Sequence, residues 1–218
     1  MKLSRYPLWP AHRAADPSLT DEGLRSRVIA AYGADAVQDD RELTQIVEFA
    51  ARLCDVPVAL VTLVEEHRQR FVARKGLAKE ETPRSTSLCS HAMSGRGPMV
   101  VPDASADERF AEMELVAGEN GIRFYAGHPL VSSEGVPLGA LCVIDREARP
   151  EGLNALQREG LEVLSRAVMR RLTSERDAAY AENKIEVSEL RTRQLAENLP
   201  VYAWAANTEG VVEYANPA

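Results

Sequence analysis

A cysteine two positions ahead of a histidine, Cys89-Ser90-His91, is the stretch of this chain best equipped for chemistry. A thiolate is a nucleophile and a soft metal ligand, and an imidazole changes charge near neutral pH. Other polar side chains sit in short segments that are otherwise apolar: Arg74, Asp103, Arg109, Tyr125 and His128. With Cys89 and His91 they are the candidates for lining a ligand pocket. A closed zinc site needs four donors, and only His128 and Cys142 remain to complete one. A thiol enzyme needs two cysteines clustered at one pocket, one of them with a lowered pKa. No Ser-His-Asp order, paired carboxylates or Walker-type glycine loop is present. No catalytic residue and no metal ligand is therefore assigned. A plain structural role stays open beside the ligand reading, with Cys89 and His91 buried in a short helix and Asp103 capping the turn after Val101.

Those residues need a scaffold, and periodicity outlines one. Ser18 or Thr20 can cap a helix starting near Asp21 and ending at Gly33. Leu43, Ile46, Val47, Ala50 and Leu53 repeat at helical spacing after a cap at Asp39 or Asp40. The period then changes. Pro57 to Val64 and Arg70 to Lys75 read as two strands of a hairpin around Glu65-Glu66-His67-Arg68. Lys79 to Pro83 reads as a loop, and Leu88 to Met93 as a short helix. Met99-Val100-Val101 is a strand, and Glu112 to Val116 a short helical piece. Ile122 to Leu130 and Leu138 to Ile144 are the last strands of the domain. From Asn154 the pattern is helical for about 45 residues, roughly 65–70 Å at 1.5 Å per residue. Leu161, Leu164, Val168 and Leu172 are expected to pack on the sheet or on a twin helix, as dimer and relay positions. Beyond Leu172 the apolar spacing is interrupted, so a coiled coil and a charge-paired exposed helix both remain open. Val201 to Ala206 and Val211 to Tyr214 read as two further strands.

Composition narrows the class. The chain has 218 residues, a net charge of −7 and 45% hydrophobic residues, which suits a globular protein with one sizeable core. The only Arg-rich stretch is interleaved with acids, so no nucleic-acid partner is expected. Three cysteines without a CxxC spacing point to a reducing compartment rather than a disulfide framework. No apolar run reaches the roughly 18 residues of a membrane span, and no signal-peptide pattern opens the chain. The expected location is the cytoplasm.

The order of segments VPVALVTLVEEHRQRFVARKGL, TPRSTSLCSHAM, MVVPDASADERF, GIRFYAGHPL and PLGALCVIDREAR resembles a GAF domain of bacterial sensory proteins. The resemblance covers about residues 40–168. The closing ENLPVYAWAANTEGVVEYANPA resembles the opening of a PAS domain. The resemblance implies an α+β fold: an antiparallel sheet of about six strands with helices on both faces, followed by a long signalling helix. It implies a flexible arm over residues 1–20, a sensory domain over 21–152, the helix over 153–199 and a truncated PAS start over 200–218. It further implies a homodimer, a small-molecule ligand, and downstream PAS and output domains of a histidine kinase or diguanylate cyclase type. The fragment itself is expected not to be an enzyme. A ligand-free dimerisation module is the alternative, and a thiol enzyme of the free methionine sulfoxide reductase type a third reading. GAF domains also hold covalent bilins, haem or metals. Cys89 and His91 invite those readings, but their surroundings do not match the bilin signature, and the cofactor stays unassigned.

Overall fold

The computed structural model describes residues 22–95, 97–198 and 204–215. The expected arm, the caps at Ser18 and Thr20, Asp21, Leu199 and the first residues of the PAS-like segment lie outside them. The chain divides into two compact units, residues 1–175 and 176–218.

The first unit is built on one six-stranded antiparallel sheet with helices on both faces. Its strands are β1 (Val58–Val64), β2 (Arg68–Lys75), β3 (Glu81–Pro83), β4 (Met99–Val101), β5 (Phe124–Val131) and β6 (Pro137–Asp145). They lie in the order β3-β2-β1-β6-β5-β4, which puts β1 and β6 at the centre. Alternation along β1 sends Ala59, Val61 and Leu63 to one face and Leu60 and Val64 to the other, and each set joins a separate buried cluster. The first cluster is closed by helices α1 (Glu22–Ala31), α2 (Arg41–Cys54) and α4 (Ala155–Glu197). The second is closed by the short helix α3 (Leu88–Ala92) and the segment carrying Phe110 and Val116.

Local rules explain where the elements begin. Asp40 accepts the Leu43 N–H at 3.0 Å and starts α2. Asn154 and Gln157 exchange side-chain and backbone hydrogen bonds at 2.9 and 3.0 Å, a capping box that starts α4. Ser87 accepts the Ser90 N–H at 3.1 Å and starts α3. In β2 the register against β1 slips, so that Val61 faces Ala73 while Thr62 faces Phe71. Val72 is the extra residue, and its free carbonyl accepts the Asp39 N–H at 2.9 Å.

Two expectations need correction. The segment read as a loop before Pro83 contains β3, which pairs with β2 through Arg68↔Pro83. Pro83 is tolerated because β3 is an edge strand and its missing N–H breaks no ladder. Residues 112–116 form hydrogen-bonded turns rather than a helix, with the Val116 and Ala117 N–H groups both donating to the Met113 carbonyl.

In the second unit, β7 (Trp204–Ala206) and β8 (Val212–Ala215) form an antiparallel pair. Asn207 Oδ1 accepts the N–H groups of Glu209 and Val211 at 3.0 Å each, and Gly210 takes a φ of 82°. That is a turn held by its own side chain.

The central strands β1 and β6 approach closely at Thr62 and Gly139. Thr62 Oγ1 accepts the Ala140 N–H at 3.2 Å and donates to the Ala140 carbonyl at 3.1 Å. A Cβ added at Gly139 would lie 1.9 Å from the Thr62 carbonyl oxygen. Gly139→Ala is therefore expected to destabilise the domain by about 3 kcal/mol. Urea unfolding should show a lower midpoint with an unchanged slope; an unchanged midpoint would refute the close approach.

Candidate functional site

A cavity of about 230 Å³ lies between the sheet and α3. Leu60, Phe71, Tyr125 and Ile144 form its floor, from β1, β2, β5 and β6. Leu88 and Cys89 of α3 roof it, and Leu115 and Ile122 close one side. Lys79, Asn120 and Arg146 stand exposed at the rim. Inside, the polar groups are few: Gln69, Ser87 and Thr82, whose buried hydroxyl has no hydrogen-bond partner. A mainly apolar chamber with sparse, directional polar groups is the usual make-up of a small-molecule site.

Cys89 sits at the centre of a buried polar cluster. Tyr125 donates its hydroxyl to Cys89 Sγ at 3.2 Å. Cys142 Sγ lies 3.5 Å from Cys89 Sγ. Ser87 Oγ donates to Gln69 Oε1, joining the start of α3 to β2. Gly127 is what permits the Tyr125 contact. A Cβ there would lie 2.3 Å from the Tyr125 hydroxyl, so the ring can run along β5 only because position 127 has no side chain.

The electrostatics separate the two sulfurs. Burial opposes the Cys89 thiolate, but hydrogen bonding, led by Cys142 and Tyr125, outweighs it and holds the thiol below its ordinary pKa. Cys142 is pushed well up, first by its hydrogen bond to Cys89 and then by burial. Tyr125 is also pushed well up, by burial first and then by the neighbouring sulfurs. Cys54 belongs to the other core, where burial pushes its thiol up to about 11.

Of the residues expected at a pocket, the fold brings Cys89 and Tyr125 into contact at the cavity. His91 and Arg109 gather outside it around Phe110. The His91 ring meets Phe110 edge-on with centroids 5.0 Å apart, and the Arg109 guanidinium lies 4.6 Å over the same ring. His91 opens on a separate cleft with Glu22, His67 and Arg84. Arg109 also pairs with Asp107 at 2.7 Å. Arg74 is held on the surface by Asp39 and Glu80, at 2.8 and 3.0 Å. Asp103 caps the turn at Ser105, accepting its N–H at 2.9 Å. His128 shares a strand face with Phe124, Ala126 and Leu130, and so points to the α4 side of the sheet. Arg74, Asp103, Arg109, His91 and His128 therefore do not line this cavity. Gln69 and Ser87 join Cys89 and Tyr125 there without any sequence signal for a pocket role, and Cys142, weighed from sequence only as a possible metal donor, lies behind Cys89. Only a known strand register could have put Cys142 beside Gly127 and thus under Tyr125.

The expected relay residues also have a definite place. Leu161, Val168 and Leu172 are buried in the unit's own core, and Leu164 packs against it. Of the two places expected for them, the sheet and a twin helix, they take the sheet side, so they are not free as outward contacts. Among the described residues no three His, Cys, Asp or Glu side chains come together as a metal site. No helix among them is long and apolar enough to cross a membrane.

Comparison with known proteins places these features. A family model described as GAF domain matches residues 40–172, more than half of the chain. A cyclic di-GMP phosphodiesterase of Pseudomonas aeruginosa is 38% identical over 167 residues, 77% of this chain. The match spans only 28% of that relative's length. Among solved structures, a bacteriophytochrome of R. palustris aligns with a TM-score of 0.53 at 13% identity, over 84% of this chain and 43% of that one. A free methionine-R-sulfoxide reductase of Neisseria meningitidis, in complex with its substrate, aligns at 0.51 and 18% identity, over 78% and 99%. The GAF domain of a phosphoenolpyruvate-protein phosphotransferase from Coxiella burnetii aligns at 0.50 and 14%, over 76% and 99%. At such identities the structural likeness establishes the fold alone.

The two half-buried histidines give the domain a pH dependence. Burial lowers the pKa of His91, with Arg109 adding to the effect and Asp107 opposing it. Burial likewise lowers that of His128, opposed by its Pro129 backbone contact. Below the unfolded value of 6.5 the unfolded chain binds more protons than the folded one. Stability is therefore full above pH 6.5 and declines as the pH falls below it. In urea titrations between pH 7.5 and 5.5, His91→Gln should flatten that decline; an unaltered slope would refute the assignment.

Proposed function

The chain belongs to the GAF domain family, and on that premise we propose that it binds a small, mainly apolar molecule under α3 and passes the event to α4. The observation that carries this reading is the cavity itself. Its apolar walls, the unpartnered Thr82 hydroxyl and the Gln69–Ser87 pair suit a compact ligand with one polar end. A volume near 230 Å³ is on the small side of known ligand sites, which favours a metabolite over a tetrapyrrole or a cyclic dinucleotide.

The route outward runs through packing on α4. Leu161, Val168 and Leu172 rest on the sheet face opposite the cavity, so a shift in the central strands changes their seat. Arg171 anchors the helix by reaching Asp40 at 2.9 Å, and Glu175, one turn along the same helix, pairs with it at 2.8 Å. The second copy would meet the outward faces of α2 and α4. Gly160 of α4 lies against Leu53 of α2, and Arg171 against Asp40, so the two helices run antiparallel. That alignment brings Phe49 level with Val163. Phe49, Val163 and Leu156 are 48%, 47% and 67% exposed, an apolar strip that a homodimer would cover.

Beyond residue 175 the reading extends the notion of a relay: a signalling helix leading to a PAS domain that begins with β7 and β8. The Pseudomonas relative acts on cyclic di-GMP. That favours an output domain of the same chemistry in the parent over the histidine kinase or diguanylate cyclase expected from sequence. This segment itself is read as non-catalytic and cytoplasmic, with three reduced cysteines fitting that compartment.

Native mass spectrometry of the purified chain tests the ligand. A releasable mass is expected on the wild type and not on Ile122→Trp, whose indole would fill the cavity; retention by both would sink the assignment. Analytical ultracentrifugation tests the dimer face. Val163→Glu should weaken self-association about tenfold or more while the fold survives. Val168→Glu should instead unfold the domain, because it buries an unpaired charge. Equal association of Val163→Glu and wild type would remove α4 from the interface.

A further inference from the structure

We infer that Cys89 and Cys142 form a redox pair that a small hydroperoxide, entering the cavity, converts into a disulfide. The sulfurs are 3.5 Å apart, so closing to the roughly 2.05 Å of a disulfide needs a movement of about 1.5 Å. They belong to different elements, α3 and β6, far apart in sequence. The two positions differ in access. Cys89 lines the cavity, whereas Cys142 is fully buried behind it with Cys89 as its sulfur neighbour. That is the arrangement of an attacking thiol in front of a resolving one. Tyr125 donates its hydroxyl to Cys89 Sγ at 3.2 Å, which favours negative charge on that sulfur. Cys54 lies in the core on the other face of the sheet and has no place in the pair.

The steps balance. The Cys89 sulfur attacks the outer peroxide oxygen, the O–O bond breaks, and the alcohol leaves with the proton that the thiol gave up. Cys89 is now a sulfenic acid. The Cys142 sulfur attacks it, the S–S bond forms, the S–O bond breaks, and water leaves with the Cys142 proton. Two thiols have lost two electrons, and one hydroperoxide has become an alcohol and a water. The product ties the roof of the cavity to a central strand. This inference rests on the sulfur geometry and stands or falls apart from any ligand in the cavity.

The test uses the full chain, reduced and then exposed to tert-butyl hydroperoxide, with alkylation in denaturant and peptide mass mapping. The expected result is a Cys89–Cys142 linked peptide, an alkylated Cys54 and full reversal by dithiothreitol. In Cys142→Ser, dimedone should capture a sulfenic acid on Cys89; in Cys89→Ser, Cys142 should stay reduced. The inference is overturned if native Cys89 and Cys142 remain alkylatable under exposure that oxidises the urea-denatured chain. It is equally overturned if Cys54 takes part in the bond, or if Cys142 oxidises as readily in Cys89→Ser. Wild-type mapping alone decides the matter should either serine variant fail to fold.

Discussion

Everything in the domain hangs on the burial of β1 and β6 on both faces. With no solvated side, each strand must offer apolar side chains in both directions, and each backbone group must find its partner inside the sheet. Thr62 brings a fully buried polar side chain there. Its hydroxyl serves both the N–H and the carbonyl of Ala140, so nothing polar is stranded. Gly139 lets the two strands approach at the same point. A flaw here would loosen both clusters together, because each rests on the same two strands.

That shared support is also what could make the domain a transmitter. The cavity lies on one side of the sheet, and α4 is seated on the other. Between them lie only the central strands, with Cys142 facing the cavity side and its neighbours Leu141 and Val143 facing the helix side. Packed interiors deform little and tend to switch between discrete arrangements. On the proposed reading, a change under α3 would have one layer of backbone to cross. Arg171, bound to the residue that caps α2, then holds the first unit's end of α4 to the same body.

The polar cluster at Cys89 shows how a buried site can be assembled from ordinary parts. Ser87 caps a helix and reaches Gln69. Gly127 leaves the space that Tyr125 fills. Tyr125 and Cys142 then meet Cys89 from two strands that are neighbours in the sheet. Each contact is modest, but together they give two chemically identical thiols opposite acidities.

Much of the fold could be read from sequence because it depends on local pattern. Helical spacing marked α2 and α4, short apolar runs marked β1, β5 and β6, a cap at Asp39 or Asp40 was expected where α2 begins, and the helical pattern was expected from Asn154. The edge strand β3 escaped because its stability comes from pairing with β2 and not from its own charged, proline-ended sequence. At the site, sequence named Cys89 and Tyr125 by chemical type. It also offered Arg74, Asp103, Arg109, His91 and His128, whose side chains make their contacts elsewhere. Which side of a strand a residue faces follows from parity, but parity becomes position only once the register is known. The sequence by itself therefore determined the main helices and central strands, their order and the domain family. Only the tertiary structure decided that Cys142 would meet Cys89, that His128 would turn to α4, and that Leu161, Val168 and Leu172 would be spent inside the domain's own core. Those outcomes are set by pairing between distant segments, an energy no single segment carries.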